Sequence, residues 1–265
     1  MFVACCTFVL VIAGGLVTSN DAALSVPDWP LSWGRLVPTL EGGIRYEFAH
    51  RVAAMLVGLL TVGLALALRT KLAWAAVAVV AAQAVLGGLT VRLVTPPWAT
   101  IAHASLGQLF FAIMVAICVG LFTGFKPGWA APTLICTVAL FAQTVLGAGV
   151  RYGVIAAVAH IAGAVLATIL VMWAGLSILM QHMDNPKLRR AAMLLLSIAF
   201  SQVFLGIGAL MARVAYADAP QPMPMMVWFT VAHVAVGSLA VGAAIALAML
   251  VRPDAFQAHG GMVTA

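Results

Sequence analysis

Long apolar runs, separated by short polar or proline-bearing breaks, divide this chain along its whole length. Eight of them lie at about 1–18, 44–68, 72–92, 100–123, 132–150, 154–180, 191–212 and 227–250. A helix needs roughly 20 apolar residues to cross the hydrocarbon of a bilayer, so the pattern predicts eight transmembrane helices. Membrane-spanning strands would show short alternating segments instead. The first run carries no basic flank and is not followed by a small-residue cleavage site and a soluble domain, so it reads as a span and not as a signal peptide.

Composition removes most other classes. Of 265 residues, 65% are apolar and 8% charged, with a mean hydropathy of +1.14. Too little polar surface exists to cover a water-soluble globule, and a disordered tail, a nucleic-acid arm and a disulfide scaffold are excluded with it. The four cysteines, Cys5, Cys6, Cys118 and Cys136, all sit in apolar runs, as small buried hydrophobes do. The net charge of +6 is read as a topology signal, with the lipid bilayer and not nucleic acid as the partner. Arg69, Lys71, Lys126, Lys187, Arg189, Arg190 and Arg252 fall on one side of the predicted spans, all three lysines among them. The positive-inside rule then places both termini in the cytoplasm of a plasma (inner) membrane, multi-pass protein. The opposite, outer side carries the longest loop, Ser19 to Gly43, with Pro27, Trp29, Pro30, Trp33 and Pro38. Aromatics of this kind settle at membrane interfaces.

The chain repeats itself. Ala82-Gln83-Ala84-Val85-Leu86-Gly87 is echoed by Ala142-Gln143-Thr144-Val145-Leu146-Gly147 and by Ser201-Gln202-Val203-Phe204-Leu205-Gly206. Each glutamine is followed by an arginine, Arg92, Arg151 or Arg213, and the next span opens with a histidine, His103, His160 or His233. The first pair of spans is a diverged copy, with Gly14-Gly15 and His50. A linker over 124–132 separates the copies. The expected architecture is all-α: two pseudo-two-fold-related four-helix bundles, residues 1–125 and 126–265.

Four of the six histidines thus occupy equivalent depths near the outer ends of the even spans; His182 and His259 fall near the cytoplasmic side or in the tail. Ionisable groups in hydrocarbon are costly and usually functional. Zinc is one occupant for paired imidazoles, but no cysteine or carboxylate cluster completes a tetrahedral site. Haem iron fits better, needing one imidazole from each of two facing helices. Small residues one turn past each histidine, Ala54, Gly107, Ala164 and Gly237, would give a flat macrocycle room. Arg92, Arg151 and Arg213, with Arg51, are candidate partners for haem propionates. Glu47, the one acid inside a predicted span, stands three residues before His50 with no counterpart in the other copies. It is either paired, with Arg51 or Arg45, or held beside a reacting centre. That single break in the repeat points to one site that does chemistry and one that supports it.

These residues resemble the haem A synthase family over essentially the whole chain. The most specific likeness is Val26-Pro27-Asp28-Trp29-Pro30-Leu31-Ser32, then Gly42-Gly43-Ile44 and Tyr46-Glu47-Phe48-Ala49-His50-Arg51. The resemblance implies an enzyme, a membrane haem-dependent oxidoreductase. It would convert haem O to haem A for cytochrome oxidase by oxidising a ring methyl to a formyl group through hydroxylated intermediates. It further implies that His50 and His103 bracket the substrate haem O, that His160 and His233 ligate the iron of a resident haem b cofactor, and that Glu47 is catalytic. Implied partners are an unnamed electron donor, the haem O-forming enzyme and oxidase assembly factors. Many members carry a cysteine pair in the first outer loop and read Gly-Ser-Gly-Leu after the first span. Here that loop has no cysteine, and Asp21-Ala22-Ala23-Leu24 follows Asn20.

Two other readings fit parts of the pattern. A di-haem membrane cytochrome exchanging electrons with quinone would use the same histidines, but has no need of Glu47 or of a Trp/Pro-rich loop over one half. A transporter with histidine proton relays would suit the repeats, yet broken helices are not evident. A haem O-forming prenyltransferase would require aspartate-rich motifs, which the chain lacks.

Overall fold

The computed structural model describes residues 1–124, 128 and 130–251. The expected boundary between the halves at 125/126, and with it Lys126, Pro127 and Trp129, lies outside the described residues, as do Arg252 and His259. Among the described residues there are eight helices: α1 (Phe2–Ser19), α2 (Ile44–Leu68), α3 (Lys71–Arg92), α4 (Pro97–Thr123), α5 (Ala131–Arg151), α6 (Ala157–Gln181), α7 (Pro186–Ala215) and α8 (Pro224–Leu250). All eight are long and apolar enough to cross a bilayer, and the chain is an all-helical, multi-pass membrane protein.

Helix ends differ from the hydropathy pattern where polar or proline-containing turns extend a helix beyond its apolar run. α7 begins five residues before the predicted 191, because the Asn185 side chain accepts from the backbone N–H groups of Lys187 and Leu188 and Pro186 occupies the first turn. Pro97 and Pro224 likewise occupy the first turns of α4 and α8, there without a side-chain cap. The reverse holds for α6, which starts at Ala157 and not at 154, since the chain first turns through Gly153 at φ +74°.

Packing closes two rings. In the first, α1 packs on α2, α2 on α3, α3 on α4 and α4 on α1; in the second, α5 to α8 do the same. The rings join through α8, which lies against α1 and α4, and through α4 against α5. Gly15 of α1 brings that helix against Val231 of α8. Each ring has an apolar plug at the end away from the long loop. Val57, Ala65, Ala73, Ala76, Phe110, Met114 and Ile117 fill the first; Cys136, Val171, Ala174, Ile178, Leu195 and Leu247 fill the second. Large apolar side chains such as Leu59, Phe122, Val165 and Phe204 face outward, as lipid-exposed surfaces do. Hydroxyls that would otherwise be stranded in hydrocarbon bond to carbonyls one turn back, as Thr61 does to Val57 and Thr137 to Thr133.

Candidate functional site

With their deep ends plugged, the bundles carry their polar groups at the other end. His50 lies in the second turn of α2, His103 in the second turn of α4, His160 in the first of α6 and His233 in the third of α8. The depths are therefore less uniform than the repeat implies, but the fold brings the four together in two pairs. The His50 and His103 rings stand 6.5 Å apart, centroid to centroid, at an interplanar angle of 82°. Those of His160 and His233 stand 6.2 Å apart at 88°.

A glycine on the preceding helix seats each ring. A Cβ added to Gly14, Gly87, Gly147 or Gly206 would come within 3.0–3.2 Å of Cε1 of His50, His103, His160 or His233, respectively. The four imidazoles also face the backbone of Leu10, Gln83, Gln143 and Gln202, one turn before those glycines. For His50, His103 and His233, Nδ1 is buried without a full hydrogen bond. Nδ1 of His160 lies 3.0 Å from Nε2 of Gln143. Nε2 is thus the ring atom left to meet anything held between a pair, and an imidazole offering Nε2 to a metal carries its proton on Nδ1, facing just such carbonyls.

These distances test what the pairs can hold. Imidazole–metal bonds of about 2.0–2.1 Å, with the nitrogen about 1 Å from its ring centre, put two trans imidazoles just over 6 Å apart. Both pairs meet that spacing. Among the described residues no group of three or more His, Cys, Asp or Glu is gathered for a metal, so the chain offers two nitrogens per site. A metal whose remaining ligands come from a macrocycle suits that donor set.

The glycines expected to make room for a macrocycle have another neighbour. Nε2 of Gln83 lies 2.8 Å from a Cβ built on Gly107, and Nε2 of Gln202 lies 2.9 Å from one built on Gly237. In the remaining copy the Gln143 amide packs on Gly163, beside the expected Ala164. The repeated glutamines, which sequence reasoning used only to mark the repeat, are helix-to-helix contacts at the depth of the histidines.

Glu47 is 4% exposed and paired. One carboxylate oxygen binds Arg51; the other accepts the Val26 backbone N–H at 2.8 Å. Arg51 places its other terminal N–H groups on the carbonyls of Asp28 (2.8 Å), Leu31 (2.9 Å) and Val26 (3.0 Å). All four of its terminal N–H groups are consumed by these partners and Glu47, leaving only Nε–H. Arg51 is therefore an anchor for the long loop, with Nε–H as its remaining donor. Arg92 donates to the Trp29 carbonyl at 3.3 Å, while the Trp29 ring packs on Gly88, next to the seat of His103. Asp28 closes a turn by accepting the backbone N–H groups of Trp33 (2.6 Å) and Gly34 (2.8 Å). Those bonds, Gly34 foremost, hold its carboxyl below the ordinary carboxylate range. Arg51 and Arg92 thus strap the loop to α2 and α3 of the first bundle.

In the second bundle Arg151 reaches over to Ser19 of α1, donating to its hydroxyl at 2.8 Å. It lies within the fields of Asp21 and of the exposed Arg213. No protein-family model matches the chain, and no curated protein matches it.

Proposed function

We propose that this chain is a membrane haem-dependent oxidoreductase that converts haem O to haem A. The observation that carries the reading is the pairing of imidazoles across two gaps, 6.5 and 6.2 Å between ring centroids, each of which would admit one iron held by its two histidines. In this reading His50 and His103 hold the substrate haem O, and His160 and His233 hold a resident haem b. The membrane is the plasma membrane, with both termini cytoplasmic and the haem sites toward the outer face.

Redox reactivity belongs to the iron porphyrins when bound. The chain supplies ligation, orientation and shielding. Its glycine seats fix the ring planes, and at His50, His103 and His233 the backbone carbonyls favour the proton on Nδ1. Arg92, Arg151 and Arg213 stand at the haem-bearing end, where propionates would seek cations. Of these, Arg92 and Arg151 already donate to Trp29 and Ser19, whereas Arg213 is exposed. Glu47 acts first as a positioning group. It fastens the Trp29 loop over the His50–His103 gap, excluding water from a methyl carbon under oxidation, and any proton it handles passes through a carboxylate already held by Arg51.

An electron-carrying di-haem protein has the same histidines but gains nothing from a strap over one half. The asymmetry built by Glu47, Arg51 and Arg92 supports synthesis over relay. Single His→Ala variants test the assignment. His160→Ala or His233→Ala should lose the resident haem b spectrum, whereas His50→Ala or His103→Ala should lose only retention and conversion of haem O. A full two-haem spectrum in any of the four would contradict it.

A further inference from the structure

The two halves differ in how their histidine helices are tied to the helices before them. Nε2 of Gln143 donates to the main-chain carbonyl of His160 at 2.7 Å, and Nε2 of Gln202 to that of His233 at 2.7 Å. Each bond joins two helices at the ligand residue itself, using the second lone pair of a carbonyl in the helix. In the first half Gln83 holds the equivalent position and packs on Gly107, but among the described residues its side chain makes no hydrogen bond to the His103 carbonyl, although the Oε1 of all three glutamines is equally unpartnered. At the fourth position stands Leu10, four residues before the Gly14 that seats His50, and leucine can make no such bond.

Within a bilayer one interhelical hydrogen bond biases an equilibrium by about threefold to twentyfold. A tether on both ligand helices holds the gap between their rings at fixed width. Where both are missing, the helices can draw apart without breaking a side-chain hydrogen bond between them.

We infer that Gln143 and Gln202 are positioning residues that make the His160–His233 pair a retaining site, while Leu10 and the unbonded Gln83 let the His50–His103 pair open and exchange its ligand. That the ligand is a haem rests on the function proposed above; the tethers themselves do not. The inference gives the halves of a near-symmetric molecule different lifetimes for what they bind, as a resident cofactor and a substrate require.

The test uses the full chain in lipid nanodiscs loaded with haem, and follows transfer of haem to excess apomyoglobin by absorbance. Two phases are expected, the slow one assigned by its absence in His233→Ala. The Gln143→Leu/Gln202→Leu pair should speed the slow phase by at least tenfold and leave the fast phase alone. Leu10→Gln should slow the fast phase. Unchanged phases in the glutamine double variant would overturn the inference. Histidine-selective 15N NMR of the unloaded chain gives a second readout that needs no haem. His160 and His233 should give sharp ring resonances and His50 and His103 exchange-broadened ones, with the difference lost in the double variant. Four alike resonances would overturn the tethers, whereas a chain that shows this difference but binds no haem would overturn the haem reading and leave the tethers standing.

Discussion

Asp28, Glu47 and Arg51 form one connected device, and its parts can be separated by titration and substitution. The Asp28 carboxylate is held ionised by the backbone N–H groups of Gly34 and Trp33. A group whose folded pKa lies below its unfolded value contributes stability above the unfolded value and loses it as pH falls through the folded one. The loop should therefore keep its order from neutral pH to below about pH 4, the ordinary aspartate range, and loosen only beneath that. Trp fluorescence of the 19–43 loop against pH checks this, and Asp28→Asn should loosen the loop at every pH. Glu47→Ala strips Arg51 of its partner and leaves the Val26 N–H unmet in a buried place, a loss of about 3 kcal/mol. Glu47→Gln keeps an acceptor for Val26 but loses the ion pair. Protease nicking near Trp33 should be fastest in Glu47→Ala, intermediate in Glu47→Gln and slowest in the parent. Equal rates would remove Glu47 from the strap.

At the scale of helices, what matters is the crossing of each odd helix with the even helix that follows it. Glycine at 14, 87, 147 and 206 lets a ring lie against a backbone, and no side chain can be added there without moving the ring. Gly206→Leu should displace His233 and weaken haem retention in the second half at least tenfold, with the first half unaffected. A haem titration that is unchanged by this substitution would contradict the seat. These crossings were partly legible in the sequence. The motif spacing marked Gln, Gly and His as a unit, and the glycines at 87, 147 and 206 lay inside it. What the residues did to one another was not legible, because a 3.6-residue period gives faces and not partners. Gly107 and Gly237 read as space for a macrocycle, and they hold glutamine amides. Arg51 read as a cation for a ligand or as a partner of Glu47; the pair with Glu47 is present, and its other acceptors are loop carbonyls 20 to 25 residues distant. Loop backbone leaves no hydropathy signal by which such partners could be found.

The whole molecule is legible in its coarse form because the bilayer allows so few solutions: eight long apolar runs must be eight helices, with backbone groups satisfied internally. The α7 start lies at Pro186, behind the Asn185 cap, because capping side chains are polar and lie outside any apolar window. The arrangement of two closed rings, joined through α8, puts one histidine pair in each ring and the strapping loop on α2 and α3 of the first. A near-symmetric scaffold thus carries two differently built histidine pairs. The most direct test is a haem inventory. The detergent-solubilised full chain is purified from cells supplied with haem O, and the extracted haems are identified by chromatography and mass. About one haem B per chain is expected, together with haem O, a hydroxylated haem or haem A in amounts that fall selectively in His50→Ala. Haem B alone, at two per chain, would contradict the proposed function and make the molecule an electron carrier.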